Sequence, residues 1–335
     1  IPYELIPKGF MDDKQVARAK ATIHTGIYNM EYAACFVNDS DGFFKRTLIE
    51  SCVANETNPI MIGEQKIVFD AVNKGKPNRQ YVYGIDPASE KDNFSIVVLE
   101  VHPDHSRIVY VWTTNRVNFK DRQKTGTVKE HDFYNFCARK IRDLMKVFPP
   151  LLIGLDAQGG GIAIEEALHD PSNLQEGENL ILPVINPDKQ KDTDGQAGLH
   201  ILDMVQFAKA DWTAQANHGL RKDFEDKVLL FPRFDNLTLG IELDNLYDNV
   251  SDCILEIEEL KNELTTIVMS QTSTGPNARD RWDTPEVKLQ NGKKGRLRKD
   301  RYSSLLIANM MARQVKSPDL RPNFDMIGGN LRDVP

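Results

Sequence analysis

The chain has 335 residues, 40% hydrophobic and 27% charged, with a formal net charge of −7. It is long enough for one large domain with appendages or for two, and its acidic balance argues against a protein that coats nucleic acid. No apolar run approaches the ~18 residues of a membrane span, and Cys35, Cys52, Cys137 and Cys253 form no C-x-x-C pair, which fits a reducing cytoplasm better than a disulfide framework or zinc knuckle.

The opening "IPYELIPKGF" has neither a signal-peptide charge pattern nor an initiating Met, so the chain reads as a fragment or a processed product. Lys14 to Phe36 has helical spacing of Val16, Ala19, Ile23, Ile27, Met30 and Ala34. The polar Gly/Pro stretch "NKGKPNRQ", 73–80, marks a boundary, giving a linker-like region 1–79, a domain over 80–316 and an irregular tail 317–335. Beyond the boundary, Tyr81–Asp86, Phe94–Val101 and Arg107–Thr114 are strand-like runs joined by short turns, which predicts an antiparallel meander. His102 and His105, in the turn "HPDH", read as solvated, with metal ligation the less favoured alternative.

An amphipathic helix is expected over Glu130 to Val147, stopped by Pro149 and Pro150. "LLIGLD", 151–156, is a fourth strand, "GGGIAIEEALHD" starts a helix, and "LILPVI", 180–185, is a fifth strand. The loop 186–198 contains "DTDG" but lacks the later ligands of a calcium loop. His200 to Ala210 and Asp235 to Glu263 carry helical patterns on either side of "KVLLFP", and Leu264–Ser270 is a strand candidate. From Lys288 to Arg301 there are seven Lys or Arg and one acid, Asp300, which opens a helix running to Gln314. No G-x-x-x-x-G-K-[ST] occurs, so no P-loop for ATP is expected.

Two of the predicted strands are apolar until they end on an aspartate, Asp86 and Asp156. A three-stranded meander, a helix and a strand parallel to the first make the start of a ribonuclease H-like α/β sheet: mixed, with three antiparallel strands then parallel ones, flanked by helices. That arrangement sets strands 1 and 4 side by side and brings Asp86 and Asp156 together at the carboxyl ends, where open α/β sheets bind ligands. Adjacent part-buried carboxylates repel, and a divalent cation relieves the conflict; hard oxygen ligands suit Mg²⁺ or Mn²⁺, two ions in the usual phosphodiester device. Asp300 is the candidate third acid, or else simply an N-cap. Asp92 is a fourth ligand or orients a bound water, or is an exposed turn residue. Lys293, Lys294, Arg296, Arg298 and Lys299 would hold a phosphate backbone beside the acids, against the alternative of a solvated loop.

These residues lie in segments that resemble the C-terminal nuclease half of the large terminase subunit of tailed bacteriophages: "YVYGIDPASEKDNFSIVVLE", "LLIGLDAQGGG", "LLFPRFD", "RDRWDTPE" and "RLRKDRYSSLLIAN", with "EYAACFVNDSDGFF" resembling the stretch that leads out of the motor. The resemblance implies a ribonuclease H-like endonuclease that cuts concatemeric double-stranded viral DNA at packaging in the host cell cytoplasm. It also implies an ATPase motor domain upstream of this chain, with the portal and the small terminase subunit as partners and no membrane. The first and last acidic motifs, those of Asp86 and Asp300, carry the match most specifically; some such proteins have Glu in place of Asp on strand 4, and their third acidic position varies in type and spacing, which makes Asp86 the firmer of the two. Two rival readings are a non-catalytic DNA-clamping or packaging module and an actin-like ATPase, which would need a second copy of the fold.

Overall fold

The computed structural model describes residues 14, 16, 42–57, 59–87, 92–185, 197–233, 250–271, 279–288 and 294–317. Most of the predicted helix 14–36, the "DTDG" loop, Lys293 and the tail beyond 317 lie outside these residues.

Among the described residues, eight strands form one mixed sheet. In chain order they are β1 (Val53–Ala54), β4 (Gln80–Asp86), β5 (Phe94–Val101), β6 (Ser106–Thr114), β7 (Pro150–Asp156), β8 (Ile181–Pro183), β9 (Leu199–Val205) and β10 (Leu229–Pro232). Across the sheet the order is β1-β10-β6-β5-β4-β7-β9-β8. β4, β5 and β6 are the predicted antiparallel meander, and β7 lies parallel beside β4. This is the ribonuclease H-like order. The hairpins β2 (Ile60–Ile62)–β3 (Gln65–Ile67), β11 (Val268–Gln271)–β12 (Asp280–Asp283) and β13 (Glu286–Lys288)–β14 (Lys294–Arg296) stand apart from it.

The central strands are apolar because both faces are covered; all eight residues of β5 are buried. One face carries α3 (Phe133–Val147), which starts at Asp132, whose side chain accepts the N–H groups of Tyr134 and Asn135, both at 2.9 Å. Its Phe133 and Phe136 meet Phe94 and Trp112 of the meander. A short α2 (Arg116–Lys124), capped by Asn115, precedes it and has no apolar stripe to announce it in the sequence.

The other face carries α7 (Asp300–Lys316). Thirteen of its seventeen residues are buried, so it is a central helix with a covered circumference, not a surface helix with one apolar face. Its seat is a pair of glycines, Gly84 of β4 and Gly154 of β7, aligned across the sheet. A Cβ on Gly84 would come within 2.0 Å of the Ser304 carbonyl oxygen and 2.3 Å of the Ala308 nitrogen; one on Gly154 would come within 2.4 Å of Ile307 Cγ2. Only residues without a side chain let the helix backbone come so close. Side chains alternate along a strand, so Asp86 and Asp156, each two residues beyond its glycine, point to the face that α7 covers.

α1 (Arg46–Ser51) and β1 belong to the region read as a linker, yet they are built into the sheet and core. β1 pairs with β10, and Phe43, Phe44, Ile49 and Val53 join the main hydrophobic cluster. The polar stretch at 73–80 leads directly into β4 without leaving the fold: the Gly75 N–H donates to the Val147 carbonyl at 2.9 Å.

Three expectations are corrected. His200–Ala210, expected as helix, is mostly β9, which takes the place beside β7 and leaves β8 at the edge. Its apolar residues fit helical and strand spacing alike over so short a run. Leu264–Thr266, expected as strand, completes α6 (Val250–Thr266), and the strand begins at Val268. His102 and His105 are not solvated. They are buried and stacked at 4.3 Å, with His102 against Glu100 and His105 against Asp104, both at 2.7 Å.

Candidate active site

Two clefts frame α7. One, of about 310 Å³, is lined at the helix's C-terminal end by Asp223, Arg313 and Lys316 and holds none of the predicted acids. The other, of about 290 Å³, lies at its N-terminal end and is lined by Asp86, Asp92, Asp156, Lys299 and Asp300. The sheet register and the glycine seat bring these residues together from four places in the sequence.

Asp86 ends β4. Its backbone N–H donates to the Ser304 hydroxyl at 3.1 Å, and that oxygen lies 3.0 Å from the carbonyls of Ser95 and Asp300. One serine thus ties β4, β5 and the start of α7 at the site. Burial pushes the Asp86 carboxyl well above the ordinary carboxylate range, and the charges of Asp300 and Asp156 push it further; a hydrogen bond from Ser303 and the charge of Lys299 pull the other way.

Asp156 ends β7 and is buried. Burial raises its pKa, partly offset by the Gln158 N–H, which donates to Oδ1 at 3.1 Å. The run "AQGGG", leading into α4 (Gly161–His169), makes room here. Gly159 has φ +63°, and a Cβ on Gly161 would come within 2.0 Å of the Asp156 carbonyl oxygen.

Asp300 is the first residue of α7 and is buried; Lys299 takes the cap position and makes no side-chain cap. The N-cap alternative for Asp300 is therefore corrected. Its Oδ2 accepts the Asn93 N–H at 3.0 Å, turning the carboxylate out of its own helix and toward the start of β5. Burial raises its pKa; the Asn93 N–H lowers it, nearby Asp92 raises it, and Arg298 and Arg301 lower it. The N–H of Tyr302, in the helix's first turn, is taken instead by Glu263 of α6 at 3.0 Å, and Arg301 holds the same carboxylate at 2.7 Å.

Of the predicted basic residues, Lys299 lines the cleft and pairs with Asp283 at 3.1 Å. Arg296 also pairs with Asp283, while Arg298 donates to Asn93 Oδ1 at 2.8 Å. Lys294 belongs to β14, and Lys293 lies outside the described residues.

Phe207, Thr213, Asn217, Trp282 and Tyr302 line the same cleft and are not among the predicted site residues. Thr213 and Asn217 come from α5 (Ala210–Glu225), where Asn217 is fully buried, accepts the Tyr302 hydroxyl proton and donates to the Thr213 carbonyl at 2.9 Å. The Trp282 indole N–H is buried with no acceptor among the described residues. A polar residue on the buried stripe of an amphipathic helix, beside Ala216, Leu220 and Phe224, was the available signal for Asn217.

Among the described residues, no group of three or more His, Cys, Asp or Glu side chains stands in a geometry ready to hold a metal ion. The donor set nonetheless fits one chemically: three buried or part-buried carboxylates, each held above its ordinary pKa, share a cleft with hard oxygen atoms and surplus negative charge.

No family model and no curated protein matches the sequence. Among solved structures, the chain is similar to the large terminase nuclease of the thermophilic phage G20c, with 14% identity, a TM-score of 0.45 and coverage of 81% of this chain and 98% of that one. The same nuclease with bound magnesium matches at 14% identity and a TM-score of 0.45, over 81% and 97%. The large terminase of bacteriophage HK97 matches at 12% identity and a TM-score of 0.40, over 90% of this chain and 51% of that one, so this chain spans about half of its length.

Proposed function

We propose that the chain is a divalent-metal-dependent endodeoxyribonuclease of the phage terminase kind, cutting double-stranded DNA at the cleft formed by Asp86, Asp156 and Asp300. The observation that carries this reading is the convergence of three buried or part-buried carboxylates, from the ends of two adjacent parallel strands and the start of the helix laid across them, with Lys299 in the same cleft. Scattered acids, as a passive DNA clamp would have, would not share one cleft. The segments that resemble terminase nucleases contain each of these residues. The division into a region leading from an upstream motor, a nuclease unit reaching residue 316 and a tail belongs to the same proposal, as do the portal, the small subunit and the host cytoplasm.

Asp86, Asp156 and Asp300 would hold Mg²⁺ or Mn²⁺, with Asp92 at the rim as an added ligand or to orient water. A pair of such ions supplies, when bound, an acidified water and charge to offset the leaving 3′-oxygen. The protein's own part is to fix the acids. The Ser304 hydroxyl locks Asp86 to the start of α7, the Gln158 N–H aims Asp156, and the Asn93 N–H aims Asp300. Lys299 brings positive charge to the place where phosphate would lie.

The test is nicking of plasmid DNA with Mn²⁺ or Mg²⁺, abolished by EDTA and restored by adding the ion back. Asp300→Asn should keep the fold, because an amide oxygen can still accept the Asn93 N–H, yet lose about 10²-fold or more in cleavage, because a neutral amide is a poor ligand for these ions. Wild-type cleavage by Asp300→Asn would remove Asp300 from the site.

A further inference from the structure

Asp283, at the end of β12, has only 9% of its surface exposed, and cations from three separate places converge on it. Arg281 Nη2 donates to Oδ2 at 2.8 Å, Arg296 of β14 reaches the same oxygen, and Lys299 Nζ lies 3.1 Å from Oδ1. The Thr284 N–H donates to Oδ1 at 2.9 Å. The burial that would raise this carboxyl is outweighed by the cations, led by Lys299, and its pKa is lowered.

Three cations thus share the carboxylate of Asp283. The grouping is also open to solvent: the side chains of Arg281, Arg296 and Lys299 are 54%, 39% and 37% exposed. A guanidinium has five N–H donors and an ammonium three, more in total than one carboxylate can accept. Lys299 places one side of the group in the acidic cleft, and Trp282, between Arg281 and Asp283, lines the same cleft. Three cations this close would repel one another and splay apart without a shared anion.

We infer that Asp283 is a positioning residue that gathers Arg281, Arg296 and Lys299 into one phosphate-gripping cluster at the rim of the cleft, where it holds the DNA backbone beside Asp86, Asp156 and Asp300. This rests on the nuclease reading and adds to it the residue that organises the grip. It also assigns Arg281, outside the basic run, to DNA contact.

Counting charge alone gives the opposite expectation, and that makes the inference testable. Asp283→Asn removes an acid from the chain, so simple electrostatics predicts tighter DNA binding with an equal or steeper salt dependence. The positioning role predicts weaker binding of a DNA duplex by the full chain, measured in EDTA across a salt series. The log–log slope should flatten by about 0.9 for each phosphate that the cluster no longer neutralises. With Mn²⁺ present, Asp283→Asn should raise KM for cleavage by a larger factor than it lowers kcat, whereas a merely structural defect would reduce the active fraction and so kcat alone. Asp283→Glu should recover part of the lost binding. If Asp283→Asn does not fold, the exposed Arg281→Gln and Arg296→Gln decide, since each should lower the slope by about 0.9. Tighter binding by Asp283→Asn, or unchanged slopes in both arginine variants, overturns the inference, as does a wild type that fails to bind. A wild type that binds DNA but never cuts it overturns the nuclease reading alone.

Discussion

Asp86→Asn should reduce metal-dependent cleavage by about 10³-fold or more while making the metal-free chain more stable at neutral pH. The two effects have one cause. Asp86, Asp156 and Asp300 all have pKa values raised in the folded chain, chiefly by burial, with the other two acids adding to the shift at Asp86. A raised folded pKa means that the contribution to stability is fully present below the unfolded value, about 4 for Asp, and is lost as pH rises through the folded value. At pH 7–8 the wild-type chain therefore carries the cost of its crowded carboxylates, and an isosteric amide at position 86 removes part of it. Each kcal/mol relieved should raise Tm by roughly 2–4 °C in a domain of this size range. The gain should shrink as pH falls toward about 4, where the wild-type carboxyls take up protons for themselves. Mn²⁺ should stabilise the wild type more than the variant, because a ligand stabilises only the form that binds it. Thermal melts at several pH values, with EDTA and with Mn²⁺, check all of this. A lower Tm for Asp86→Asn in EDTA at pH 7 would show that the carboxylate supports the fold instead of loading it.

Gly84→Ala should be the most damaging change remote from the chemistry. Replacing a strand glycine with alanine ordinarily stabilises by roughly 0.5–1 kcal/mol. Here the sign should reverse, because the new methyl would come within 2.0 Å of one backbone atom of α7 and 2.3 Å of another, and neither can rotate away. Either the helix lifts from the sheet or β4 bends, at a cost of about 1–3 kcal/mol or more. The first turn of that helix carries Asp300, and Ser304 ties it to Asp86, so the shift moves one acid relative to the others. A misplacement of about 1 Å at a reacting centre can cost ~10²-fold in rate. Gly154→Ala should act the same way but more mildly, since the atoms it meets belong to the side chains of Ile307 and Met311, which can turn aside. Urea unfolding and cleavage assays of the two variants give the comparison. A Gly84→Ala protein with wild-type stability would show that α7 is not seated on that glycine.

The sequence by itself determined a good part of this protein. The meander, the parallel fourth strand and the long helix after the basic run are legible because their apolar runs are long and their periods unambiguous. The two strand-ending aspartates are legible because a carboxylate closing an apolar run is a conflict that needs a reason. The motifs "GID" and "GLD" held more than was taken from them, since the glycine in each records where α7 touches the sheet.

Only the tertiary structure decided the rest, and in each case the deciding interaction was non-local. Leu199–Val205 is a strand because β7 and β8 offer it two partners, where its own spacing allowed a helix. Val53 and Ala54 belong to the sheet because β10, far along the chain, supplies the edge that β1 joins. Asp300 is turned away from its own helix by a backbone N–H from Asn93, 207 positions earlier. Asp283 gains its partners only from the fold, which sets Arg281, Arg296 and Lys299 around it. Spacing along the chain reports what a residue needs from its neighbours within a turn of helix or a pair of strands. A cleft built from several distant elements exists only once the sheet register and the glycine seat have set the distances between them.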